Sequence, residues 1–235
     1  MHTKQRILLK LTGEIFLSSD KKSLDAANIN ALIEQIKTLR ATHQFGIVVG
    51  GGNFFRGNIQ GTALGMTAPV GHQVGMLATM MNGLILKDLL EQQDMPTSLL
   101  CAISCPEVGT PISQQTIENA LHKDHTLVFT GGTGNPFFTT DTNAVLRSLQ
   151  INAAAIWKGT NIDGVYDANP RTVAHAQLLK KVSYADALQK RLGIMDATAF
   201  ALAQQHNQTI RVFNIFTPDA LLQATNNQDF GSVIY

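Results

Sequence analysis

The sequence predicts an α/β protein, a three-layer αβα sandwich with a mainly parallel central sheet. Two observations lead there. Short apolar runs of strand length alternate along the whole chain with longer segments whose apolar residues recur at helical spacing. Glycine clusters stand directly after several of those runs, where an open parallel sheet forms its ligand crevice.

The elements follow in chain order. Residues 6–11 (Arg-Ile-Leu-Leu-Lys-Leu) form a first strand ending at Thr12-Gly13. Residues 24–42 carry Leu24, Ala27, Leu32, Ile36 and Leu39 at helical spacing. A second apolar strand, 45–49, runs straight into Gly50-Gly51-Gly52-Asn53. The Gly/Thr-rich stretch 57–71 is expected to be a mobile connection. Residues 73–90 form a long helix, with Met76, Met80 and Met81 expected in its core face. Strands follow at 97–103, 126–129, 153–157 and 210–216, with a last short one at 233–235. Helices are expected at 113–121, capped by Ser113, and at 142–149, 183–192 and 196–205. Residues 218–224 form a short helix with Pro218 in its first turn. Asp163-Gly164 signals a turn within 162–166. With no linker, repeat or low-complexity tract, residues 1–235 read as a single domain.

Composition narrows the partners. Charged residues make up 15% and hydrophobic ones 44%, which fits a compact core and excludes disorder. A net charge of +1 gives no general attraction to nucleic acid. The apolar runs fall far short of the roughly 20 residues that span a bilayer, and no basic-plus-apolar leader precedes the first strand. A cytoplasmic protein is therefore expected, with Cys101 and Cys105 as reduced thiols in or near the core. His2, His43, His122, His125, His175 and His206 show no ligand spacing and are expected at the surface.

Chemistry concentrates after strands. The segment 130–141 (Thr-Gly-Gly-Thr-Gly-Asn-Pro-Phe-Phe-Thr-Thr-Asp) joins a strand to a helix. Such a junction presents backbone N–H groups and the positive end of a helix, so it suits a phosphate-bearing ligand. Lys10, ending the first strand, could bridge phosphate oxygens, or could be a solvated lysine on an edge strand. Arg56, close behind the 50–52 glycines, could hold phosphate with its fork or lie free at the surface. Asp141 could orient a cation or a lysine near a transferring phosphoryl group; it could also cap the helix, as could Thr139 or Thr140. Lys158 follows a strand and could stabilise a leaving phosphate, while Tyr166 could flank a base or pack in a hairpin. The chain has neither a GxxxxGK[ST] loop nor the GxGxxG spacing, so a nucleotide would be held by another scheme.

Together these segments resemble the bacterial uridylate (UMP) kinase branch of the amino acid kinase family. The matching pieces are Lys10 to Glu14, 48–57, 75–83, 132–141, Asp163 to Tyr166 and 210–214, in family order across nearly the whole chain. The resemblance implies an αβα sandwich, a homohexamer, and Mg²⁺-dependent transfer of the ATP γ-phosphoryl to UMP. It places Lys10, Leu11, Thr12, Gly13, Gly52, Arg56, Thr160, Tyr166 and Asn169 on ATP. It places Gly51, His72, Thr133, Gly134, Asn135, Pro136, Phe137, Phe138, Thr139 and Thr140 on UMP. Lys10, Arg56, Asp141 and Lys158 would be catalytic, and the metal would have no direct protein ligand.

Three positions depart from the pattern. The family carries a carboxylate, facing the UMP ribose, where this chain has His72; an imidazole in its place is worth about 10- to 100-fold in affinity. Asn169 stands where an aspartate is usual, and 15–23 replaces a glycine-rich stretch, which puts the family's GTP activation in question. A same-fold kinase with a shifted phosphate acceptor, or a catalytically weak nucleotide-binding regulatory protein, are the competing expectations.

Overall fold

The computed structural model describes residues 4–18, 20, 23–190 and 192–235. Among these, eleven strands form in order: β1 (Gln5–Leu11), β2 (His43–Val49), β3 (Thr97–Cys101), β4 (Thr110–Pro111), β5 (Thr126–Thr130), β6 (Ala155–Thr160), β7 (Val165–Tyr166), β8 (Leu178–Leu179), β9 (Lys181–Val182), β10 (Ile210–Asn214) and β11 (Ser232–Ile234). Nine of them build one sheet in the order β4-β3-β5-β2-β1-β6-β10-β11-β9. Every neighbouring pair is parallel except β10–β11. The antiparallel pair β7–β8 forms a separate small ribbon.

Helices cover both faces, because the strands bury side chains on both. Along β1, Ile7, Leu9 and Leu11 enter one apolar cluster while Leu8 enters the other. The first cluster is closed by α1 (Ala27–Leu39), α2 (Ala68–Glu91) and α7 (Ala220–Asn226), through residues such as Ile36, Leu86 and Leu221. The second is closed by α3 (Gln114–His122), α4 (Thr140–Gln150), α5 (Tyr184–Gln189) and α6 (Ala197–Gln205), through Ile117, Val145, Ala187 and Phe200.

Several expectations are corrected. The stretch 57–71 is not one loop: it contains a single π turn, Gly57–Gly61, and α2 has already begun at Ala68. α1 starts only at Ala27, and half-exposed Leu24 instead bridges Leu17. Pro218 lies outside α7, which begins at Ala220 after a left-handed Asp219. Met76 and Met80 are buried, but Met81 is 50% exposed, alongside Leu77 and Leu84 on the same outward side of α2. His43 is buried on β2 against Phe45 and Trp157, and burial pushes its imidazole below the usual value. His2 and Arg191, the latter within the helix expected at 183–192, fall outside the described residues, as do 19, 21 and 22 of the stretch 15–23.

Candidate functional site

Strand order decides where the charges meet. β1 is the middle strand of the nine, so Lys10 is not on an edge. In register it faces Lys158 on β6, which runs through Thr160 and so holds that lysine within the strand. Two ammonium groups on adjacent strands repel. The carboxylate that relieves them comes from above, in the first turn of α4. Asp141 Oδ1 lies 3.1 Å from Lys10 Nζ, and Asp141 Oδ2 lies 2.7 Å from Lys158 Nζ.

All three side chains are between 10% and 16% exposed. Burial pushes the Asp141 carboxyl up, but the Lys10 and Lys158 charges outweigh it and hold it below the usual carboxylate range. Burial draws Lys158 below the ordinary lysine value; Asp141 opposes that and Lys10 adds to it. Lys158 Nζ also donates to the Ile194 carbonyl.

The helix that carries Asp141 is fixed by Thr139, not by Asp141 itself. Thr139 Oγ1 accepts from the backbone N–H groups of Asp141 and Thr142, at 3.1 and 3.2 Å. Asp196, the N-cap of α6, accepts from the hydroxyls of Thr139 and Thr142 and from two N–H groups of its own helix. One carboxylate therefore ties two helix starts together beside the charged cluster.

The glycine turns around the cluster are locked by α2. Asn82, fully buried, exchanges two amide hydrogen bonds with Asn53, at 2.7 and 3.0 Å, and donates to the Gly50 carbonyl at 2.7 Å. Thr79 Oγ1, one turn earlier, accepts from Gly131 N at 2.9 Å. The turns after β1 and β2 interlock: a Cβ on Gly13 would lie 2.4 Å from Asn53 Oδ1 and 2.7 Å from the Gly50 carbonyl. The turn after β5 needs positive φ at Gly131, Gly132 and Gly134, which glycine adopts freely. Buried Arg147 on α4 donates to the Gly132 carbonyl at 3.3 Å and lies over the Phe129 ring; burial draws its pKa down to about 10. Gly51 packs so closely under α2 that a Cβ would lie 2.7 Å from that of Ala78.

The rim is looser. Arg56 reaches back, with Nε 3.1 Å from the Gly52 carbonyl and Nη2 2.8 Å from Glu14 Oε1. Its side chain is 50% exposed. His72 packs against Phe137 with ring centroids 5.1 Å apart and the planes tilted by 52°, and Phe137 and Phe138 are both exposed. Thr133 Oγ1 accepts from the backbone N–H of Asn135 within the same turn. On the other side of Lys158 opens a cavity of about 550 Å³, lined by Thr160, Tyr166, Asn169 and Pro170 among others. Asn169 spends its side-chain oxygen locally, on the N–H of Arg171.

The structure thus brings Lys10, Asp141 and Lys158 into direct contact, surrounds them with the turns after β1, β2 and β5, and places Thr160, Tyr166 and Asn169 in the adjoining cavity. Gln60 side-chain oxygen holds the Arg56 N–H at 2.6 Å, so the arginine turn is also tied from behind. Arg56 pairs with Glu14, while Asp141 pairs with the two central lysines. Glu14, Thr79, Asn82, Arg147 and Asp196 had no assigned role in the sequence. A signal existed for two: Thr79 and Asn82 are polar residues three apart on an apolar helix, a spacing that puts them on one face.

The Amino acid kinase family model matches residues 5–214. A uridylate kinase of Pseudoalteromonas atlantica is 42% identical over 234 residues, 99% of this chain and 94% of that one. A uridylate kinase of Mycoplasma genitalium is 40% identical over 233 residues, 98% of this chain and 96% of that one. The crystal structure of UMP kinase from Ureaplasma parvum superposes with a TM-score of 0.94 at 36% identity, covering 99% of both chains.

Proposed function

The chain belongs to the amino acid kinase family, and we propose that it is a UMP kinase that moves the γ-phosphoryl of ATP to UMP. A phosphate oxygen of UMP attacks Pγ, the bond from Pγ to the β-phosphate oxygen breaks, and UDP and ADP leave. The observation that carries this reading is the Lys10–Asp141–Lys158 cluster, set at the carboxyl ends of adjacent central strands between glycine turns. The acceptor phosphate is already a nucleophile, so positioning and charge neutralisation dominate and no covalent enzyme intermediate forms.

In this reading Lys10 and Lys158 stabilise charge on the transferring group, and Asp141 holds both ammonium groups in place. Arg56 grips phosphate oxygens from the rim. ATP lies along Leu11, Thr12, Gly13 and Gly52 and extends into the cavity of Thr160, Tyr166 and Asn169. UMP lies against Gly51, His72 and residues 133–140. Asp141, the carboxylate in the cluster, is already shared by two lysines. Among the described residues there is no group of three His, Cys, Asp or Glu side chains with metal-site geometry. A Mg²⁺ ion, in this reading, would supply further neutralisation of phosphate charge beside Lys10 and Lys158.

The reading takes residues 1–235 as one domain working in the cytoplasm as a homohexamer. One continuous nine-stranded sheet supports the first point. The outward apolar side of α2, with Val70, Leu77, Met81 and Leu84 each at least 44% exposed, supports subunit contact. Among the described residues no helix is long and apolar enough to cross a membrane.

Coupled measurement of ADP release with UMP, CMP, dTMP and no acceptor tests the reading. UMP-selective release is expected. Release selective for another acceptor, or none above the acceptor-free rate, would overturn it.

A further inference from the structure

A chain of side-chain hydrogen bonds crosses the mouth of the site outside the central cluster. Glu14, in the 3-10 turn Gly13–Phe16 after β1, is only 14% exposed. Its Oε1 takes Arg56 Nη2 at 2.8 Å, and its Oε2 takes Asn161 Nδ2 at 3.4 Å. Asn161 Oδ1 in turn accepts from Arg171 Nη2 at 3.0 Å. Both Asn161 and Arg171 line the large cavity beside Lys158. Arg171 is pinned at its backbone as well, its N–H donating to Asn169 Oδ1 at 3.0 Å. Four residues from four separate connections are therefore joined end to end, with one arginine at each end.

The arrangement is odd for a site that must accept polyphosphate. A nearly buried carboxylate beside the phosphate path repels the ligand, and its presence needs a reason. Orientation supplies one. A guanidinium has a rigid planar fork, and fixing one edge of it aims the other. Arg171 lines the cavity and commits Nη2 to Asn161, which fixes one end of its fork there. Asn161 is a suitable bridge because its amide donates to Glu14 and its oxygen accepts from Arg171 at once.

We propose that Arg171 is a further donor-nucleotide-binding residue, and that Glu14 is a positioning residue which, through Asn161, sets Arg171 in register with Arg56. This rests on the kinase reading for the identity of the donor. The two arginines then flank the phosphate run from opposite loops, and the relay links the loop after β2 to the wall of the nucleotide cavity.

The test combines binding and turnover. Affinity for a non-hydrolysable ATP analogue is measured by calorimetry, and Michaelis constants by ADP release, for the unmodified protein, R171A, R171K, E14Q and E14Q/R171A. R171A is expected to weaken analogue binding and raise the ATP constant about tenfold, the scale of one lost charged hydrogen bond, with the UMP constant moving less than twofold. R171K recovers only part of the loss, since an ammonium cannot hold Asn161 and a phosphate as a fork does. The sign of E14Q discriminates. If Glu14 were merely a neighbouring negative charge, its removal would tighten binding of a polyanion; as a positioning residue, its removal weakens it. In the double variant the two losses combine to less than their product, because the part of the E14Q loss that passes through Asn161 acts on Arg171.

Analogue affinity unchanged within twofold in R171A, tighter binding in E14Q, or losses that multiply in full would each overturn the proposal. Thermal unfolding of each variant separates these outcomes from misfolding, and E14Q, nearly isosteric, carries the sign test if R171A proves unstable. An unmodified protein that binds the analogue but shows no UMP-dependent turnover refutes the kinase reading while leaving the arginine test intact.

Discussion

The centre and the rim of the site use the same charged side chains in opposite ways. At the centre, Lys10, Asp141 and Lys158 are nearly buried, and one carboxylate is shared by both ammonium groups. At the rim, Arg56 is half exposed and meets a single carboxylate, Glu14. A buried charge that loses its partner stays uncompensated, whereas an exposed one is solvated. On the proposed kinase reading, the centre therefore couples catalysis to folding stability, while the rim can be retuned for ligand binding with less effect on the fold.

Breaking the centre gives the largest effect. D141N leaves two nearly buried ammonium groups with a neutral amide; it is expected to cost about 3–5 kcal/mol of stability and to abolish phosphoryl transfer. Urea unfolding and the ADP-release assay measure both. The same carboxyl carries a pH signature. Its folded pKa lies below its unfolded one, so its contribution is complete above about pH 4 and is lost as pH falls through the lower, folded value. Unfolding free energy measured from pH 6 down to pH 2.5 should fall in that window for the unmodified protein and much less steeply for D141N.

A rim substitution that acts on binding alone comes next. If His72 faces UMP as proposed, H72D puts a carboxylate there and is expected to lower the UMP Michaelis constant by about 10- to 100-fold, with the ATP constant nearly unchanged and no loss of thermal stability. A UMP constant that is the same in H72D and in the unmodified protein, and flat in both across pH 6 to 8, would remove His72 from the acceptor pocket. A smaller effect probes the support beneath the centre. T79V deprives the Gly131 N–H of its buried acceptor and should cost about 1–2 kcal/mol, read as a shifted urea midpoint, with a parallel loss in kcat. The smallest stability effect belongs to R56Q. The half-exposed arginine contributes about 1 kcal/mol or less through its pair, and an amide at that position can still donate to nearly buried Glu14, so unfolding should move little while kcat/KM falls. A midpoint shift as large as that of D141N would erase the distinction between centre and rim.

The strands at the centre were legible in the sequence because burial on both faces leaves unbroken apolar runs such as 45–49 and 126–129, and period and length alone identify them. The helix start at Ser113 was legible from capping chemistry. The glycine turns marked the ligand side, since backbone at positive φ or in close contact admits little else. What remained hidden were relations between residues distant in the chain. That Lys10 stands beside Lys158 is a fact of strand order, with 147 residues between them. That Met81 faces outward while Met76 and Met80 are buried depends on which side of α2 meets the sheet.

The amino-acid sequence by itself determined the alternation of elements, the phosphate-suited turns and the family resemblance, because those are written in local spacing and residue type. Only the tertiary structure decided that Asp141 is shared by two lysines, that Glu14 and Asn161 join two arginines, and that Asp196 fastens two helices. Pairing between side chains far apart in sequence follows from sheet order and helix packing, and no short window of residues contains that information.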